Sequence, residues 1–147
     1  MKTILISMLL FCFVSLGYAQ QSEKEAVQQA IQSAYVGGIH NRAGIEKITE
    51  GFHPGFEMLS KRNEMLTKFP IYSWTESIEQ AMSSAEANAE TPKTTAKFPL
   101  IDIAGDAAMA KVELYRDEKH LFTDYLMLYK FEKGWKIVSK TYYRIPE

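Results

Sequence analysis

The sequence predicts an α+β fold, with N-terminal helices packed on one face of a curved, mainly antiparallel sheet. Three observations predict it. Apolar residues near the start recur at helical spacing. From Thr94 onward the period falls to two, in segments rich in Val, Ile, Phe and Tyr. Short polar turns separate those segments, which is the pattern of an antiparallel meander. Both the helices and the sheet carry an apolar stripe, so each must cover the other. A chain of 147 residues allows one domain. Hydrophobic residues are 46% and charged residues 24%, which excludes disorder and collagen-like repeats. Lys plus Arg is 17 and Asp plus Glu is 18, so no basic surplus points to nucleic acid.

Residues 1–19 have the three parts of a secretory signal peptide: Lys2, an apolar run from Ile4 to Leu16, and Gly17-Tyr18-Ala19 at the cut. The run is shorter than a bilayer span of about 20 residues. The expectation is a secreted or periplasmic protein, residues 20–147, with no membrane contact after cleavage. Cys12, the only cysteine, leaves with the leader, which removes disulfides and thiolate chemistry.

Ser22-Glu23-Lys24-Glu25 fits a capping box. Behind it Ala26, Val27, Ala30, Ile31, Ala34 and Tyr35 predict a helix over 23–36, fraying at Gly37-Gly38. A shorter helix follows within Asn41 to Gly51, stopped by His53-Pro54-Gly55. Phe56 to Lys68, interrupted by Arg62-Asn63-Glu64, reads as a hairpin. Thr75 to Ala85 is helical, with Ile78 and Met82 four apart, and 83–95 is a loop. Strands follow over 94–103, 107–116, 120–131 and 135–144.

Register follows from the turns. A two-residue loop at Lys133-Gly134 sets Leu128 against Ser139, Leu126 against Thr141 and Asp124 against Tyr143. A link of Asp117-Glu118-Lys119 sets Val112 against Asp124, Ala110 against Leu126 and Ala108 against Leu128. Both place Ala108, Ala110, Val112, Leu126, Leu128, Trp135 and Ile137 on one covered face. Asp124, Ser139, Thr141 and Tyr143 cluster at the polar end of that face, as a pocket mouth. The opposite face, with Tyr125, Met127, Tyr129, Lys140 and Tyr142, suits either a subunit interface or plain solvent. A bulge would exchange the faces.

Asp is disfavoured mid-strand, so Asp124 stands out. On a covered face its pKa would rise toward that of a general base, with Tyr143 as its partner in proton abstraction beside a carbonyl. The other reading is a structural Asp bonded to a helix backbone or a Lys. His53 either reaches the mouth or caps the corner, the turn signal favouring the latter. His40 reads as a helix C-terminal cap, and His120 as an exposed turn residue. Tyr35 and Trp74 either line a pocket for a flat ring or are simply core. The three His lack ligand spacing, so no metal is expected, and no nucleotide or cofactor motif is present.

The order of helices, the His-Pro-Gly-Phe corner, Asp124-Tyr125-Leu126-Met127-Leu128 and Gly134-Trp135-Lys136-Ile137-Val138 together resemble the nuclear transport factor 2-like superfamily. The resemblance is nearest to its SnoaL-like and putative lumazine-binding branch. It covers the chain beyond the leader. It implies a cone-shaped fold enclosing a pocket between helices and sheet, and often a homodimer through the sheet. The first functional reading is therefore a secreted protein binding a small hydrophobic or ring-shaped molecule through Tyr35, Trp74, Asp124, Ser139, Thr141 and Tyr143. Two others stand beside it. One is an isomerase, dehydratase or cyclase using Asp124, Tyr143 and His53. The other is an interaction module. An enzyme needs Asp124 beside a cavity; a lock onto Lys or Arg argues against it.

Overall fold

The computed structural model describes residues 20–83 and 92–146. The signal-peptide reading of 1–19 and most of the 83–95 loop lie outside them. The first helix, α1, is α-helical over 20–31 and continues as a π-helix over Gln32–His40. Then come α2 (Ile45–Gly51), β1 (Phe52–Arg62), β2 (Met65–Pro70) and α3 (Ile71–Ser83). The chain ends in β3 (Thr94–Ala104), β4 (Ala107–Arg116), β5 (Lys119–Phe131) and β6 (Gly134–Arg144).

Helix α1 is already formed at residue 20, so Ser22 is not its cap. Nor does it fray at Gly37-Gly38. A Cβ on Gly38 would lie 2.6 Å from Ile48 Cγ1, and one on Gly51 would lie 2.1 Å from Ala34 Cβ. These glycines are contact points where α1 and α2 approach backbone to backbone.

The six strands form one sheet in the order β2-β1-β6-β5-β4-β3. Four of its pairings are antiparallel, and β1 runs parallel to β6. The sheet is open, which corrects the expected curled, cone-shaped enclosure. Closure would require β2 and β3 to pair, and they are the two free edges. β2 has only six residues. β3 carries Pro99, which has no N–H to donate, at a break in register between Lys97 and Leu100. The core lies between the helices and one sheet face, with Val27, Ile31, Tyr35, Ile48, Phe56, Leu114, Leu126, Leu128 and Ile137 fully buried.

Two bulges decide which side chains face that core. The β4–β5 turn has two residues, Asp117 and Glu118, both at positive φ. The extra residue Leu121 then restores Val112↔Asp124, Ala110↔Leu126 and Ala108↔Leu128. The three-residue link expected there thus yields the observed pairing through a different geometry. The β5–β6 turn is Glu132-Lys133, because Phe131 pairs Gly134 and Leu128 pairs Ile137. Val138 is then an extra residue, and beyond it Met127 pairs Ser139, Leu126 pairs Lys140 and Asp124 pairs Tyr142. The expected partners of Leu126 and Asp124, Thr141 and Tyr143, are each displaced by one. One extra residue moves every later side chain of β6 to the other face.

Candidate functional site

On the covered face of β5 stands Asp124, with none of its surface exposed. An unpaired buried carboxylate is costly, so it recruits partners. Tyr35, from α1, donates its hydroxyl to Asp124 Oδ2 at 2.5 Å. Lys140, from β6 and 5% exposed, brings Nζ within 3.2 Å of Asp124 Oδ1. The ammonium also donates to the Tyr35 hydroxyl. Oδ1 is held by this ion pair and has no other partner among the described residues.

Aromatic rings surround the ammonium. Nζ lies 4.7 Å from the Tyr35 ring centroid, 4.9 Å from that of Tyr142 and 5.5 Å from that of Trp74, all within cation–π range. Trp74 comes from α3 and Tyr142 from β6. Both are partly exposed. His40 completes the cluster, edge-on to Tyr35 at 4.7 Å. The π-helix explains this neighbour: at more than four residues per turn, positions five apart fall on nearly the same face. His40 Nε2 is out of solvent and lacks a hydrogen-bond partner among the described residues.

Burial dominates the electrostatics. It pushes the Asp124 carboxyl above its ordinary value, against the pull of Lys140 and Tyr35. It pushes the Lys140 ammonium down, against the pull of Asp124. The Tyr35 hydroxyl is raised by burial and by the adjacent Asp124 charge. His40 is held at about 3 by burial, then by Lys140 and Arg116, so its ring is neutral at pH 7.

The structure therefore brings together Tyr35, Trp74 and Asp124 but not the other expected residues. Tyr143 is 59% exposed and pairs Thr123; Thr141 is exposed beside Tyr125; Ser139 stands opposite Met127. The Val138 bulge turns all three away. His53 accepts from the Gly55 N–H at 3.0 Å and stacks on Phe131 at 4.9 Å, which is a corner role. His40 is the last residue of the π-helix, at the helix end where the sequence put it, and its ring packs on Tyr35. An Asp124–Tyr143 acid/base pair does not form, and Asp124 is locked to Lys140. Lys140, Tyr142 and His40 are the residues that the sequence reading missed. A buried carboxylate calls for a cation on the next strand. The basic residues of β6 are Lys136, Lys140 and Arg144, out of phase with Trp135 and Ile137, so only a bulge brings one in.

A family model described as "Putative lumazine-binding" matches residues 22–143. Among solved structures, the chain is similar to an NTF2-like protein of unknown function from Shewanella baltica OS155. The identity is 25%, over 88% of this chain and 98% of that one, with a TM-score of 0.64. Another, from Silicibacter pomeroyi DSS-3, is 25% identical over 85% of this chain and 98% of that one, with a TM-score of 0.65. An NTF2-like protein from Cytophaga hutchinsonii, 12% identical over 84% and 98%, shares the fold with a TM-score of 0.61. No curated protein matches the chain.

Proposed function

Because the chain belongs to the family described as putative lumazine-binding, within the NTF2-like superfamily, we propose that it binds a small planar ring at the Asp124–Lys140 pair. One observation carries this reading: a buried ion pair sits among three aromatic rings, with a carboxylate oxygen whose one partner among the described residues is the ammonium. A ring with an N–H beside a carbonyl complements both charges. The N–H donates to Asp124 Oδ1, the carbonyl accepts from Lys140, and Trp74 or Tyr142 stacks on the ring face. Perturbed ionisable groups of this kind concentrate at binding sites.

Calorimetric titration with lumazine tests the reading. Binding saturates in the wild type, and Asp124→Asn and Lys140→Met each weaken it about tenfold or more, the worth of one charged hydrogen bond. Circular dichroism establishes that each variant is folded. Absence of saturation at millimolar lumazine, or equal affinity in folded variants, refutes the proposal.

The protein acts outside the cytoplasm in this reading, supported by the leader-like 1–19. It does so as a homodimer, supported by exposed Tyr125, Met127, Tyr129 and Phe131 on the outer sheet face. Sedimentation velocity of wild type against Tyr125→Ala with Tyr129→Ala checks the second point. An unchanged sedimentation coefficient sinks it.

A further inference from the structure

A second site, separate from the buried pair, lies on the outside of the helical layer. A cleft of about 330 Å³ opens between α2, the start of β1 and α3, within the range of small-molecule sites. Its floor is the buried Ile48, Phe52 and Ile71, with Pro54 at one wall. Helix α3 supplies the rim. Tyr72, Glu76 and Glu79 are spaced four and three apart, so one stripe of α3 carries a ring and two carboxylates over the cleft. Tyr72 is 69% exposed, and its ring is free to cover a guest.

Charge selects the occupant. The lining contains two carboxylates and no Lys, Arg or His. Neither carboxylate is in any ion pair of the described residues. Like charges three apart on a helix repel, and a cation between them relieves that repulsion. The apolar floor and Tyr72 add a requirement for a hydrophobic body, and an aromatic face attracts an ammonium group.

We propose that this cleft binds a small organic ammonium ion carrying an apolar ring. The ring lies on Phe52 and Ile71, and the ammonium is held by Glu76, Glu79 and the face of Tyr72. The site is separate from the Asp124–Lys140 pair: its lining includes none of Tyr35, Trp74, Asp124, Lys140 or Tyr142.

The test is an amide-resolved NMR titration of the full chain with 2-phenylethylammonium, and with phenylacetate and benzyl alcohol as anionic and neutral controls. The expected result is saturable shifts at residues 48–54 and 71–79 with the ammonium probe alone. Glu76→Gln with Glu79→Gln then weakens binding about fivefold or more, and Tyr72→Ala about two- to fivefold. All three residues are on the surface, so these variants keep the fold; the unperturbed remainder of the spectrum verifies it. No saturation by about 10 mM overturns the proposal. So does equal binding of either control, or an affinity that ignores the double Glu substitution.

Discussion

Replacing Lys140 by Met removes one charge from the core while keeping an unbranched stem between Tyr35, Trp74 and Tyr142. Lys140 is 5% exposed and Asp124 not at all, so the remaining carboxylate has no route to water. Breaking a buried pair from one side costs about 3–5 kcal/mol. The structure sets a ceiling. Asp124 escapes by taking up a proton, and protonating at pH 7 a group of ordinary pKa 3.8 costs at most about 4 kcal/mol, at 1.36 per unit. The expected loss at pH 7 is therefore about 3–4 kcal/mol. At about 2 kcal/mol per molar urea, the midpoint falls by about 1.5–2 M. The loss also shrinks with acid, because the variant's Asp124 has its pKa raised further. A raised carboxyl destabilises the fold as pH climbs from 3.8 through its folded value. Urea unfolding of both proteins at pH 7 and pH 4.5 measures this. A loss under about 1 kcal/mol, or one equal at both pH values, refutes the claim that Asp124 is held as a buried charge by Lys140.

Two further outcomes follow from the packing. His40 is neutral in the folded protein, about 3 against 6.5 in the unfolded chain, so its contribution is complete above pH 6.5 and lost as pH falls, by about 1.4 kcal/mol per unit. Urea midpoints between pH 7 and 4 should fall more steeply for the wild type than for His40→Gln; parallel profiles contradict the burial of that ring. Gly51→Ala places a methyl 2.1 Å from Ala34 Cβ. Neither side chain has a rotamer with which to yield, so α1 and α2 separate at a cost of about 1–3 kcal/mol. The melting temperature should drop by at least about 3 °C, and an unchanged value dismisses the contact.

The fold was legible where one physical signal dominates locally. Period-two alternation marks β3 to β6, and Ala108 and Ala110 opposite Leu128 and Leu126 are a volume match visible before any coordinates. The inward placement of Asp124 came from that same match. What was not legible depends on single-residue insertions and on space. Nothing local in Ile137-Val138-Ser139 marks a bulge, yet that bulge exchanges Tyr143 for Tyr142 and Thr141 for Lys140. Gly37 and Gly38 read as a helix end because glycine is a poor helix former. The reason for Gly38, the approach of Ile48, is tertiary. Sheet closure depends on whether two distant edges meet, and periodicity says nothing of that.

The buried pair also poses a question of purpose. Four elements, α1, α3, β5 and β6, converge on Lys140 and Asp124, and each ion costs several kcal/mol to desolvate. A well-packed apolar replacement usually matches or exceeds such a pair in stability, by up to about 4 kcal/mol. Asp124→Leu combined with Lys140→Met, of similar volume to the wild-type residues, therefore separates two explanations that either single substitution confounds. If the pair exists for a ligand, the double variant is as stable as the wild type or more so and no longer binds lumazine, a trade of stability for function. If it exists to hold the helices on the sheet, the double variant unfolds as readily as Lys140→Met alone. Urea unfolding and calorimetry on one preparation decide between them, and the second result removes the energetic ground for placing a ligand at Asp124.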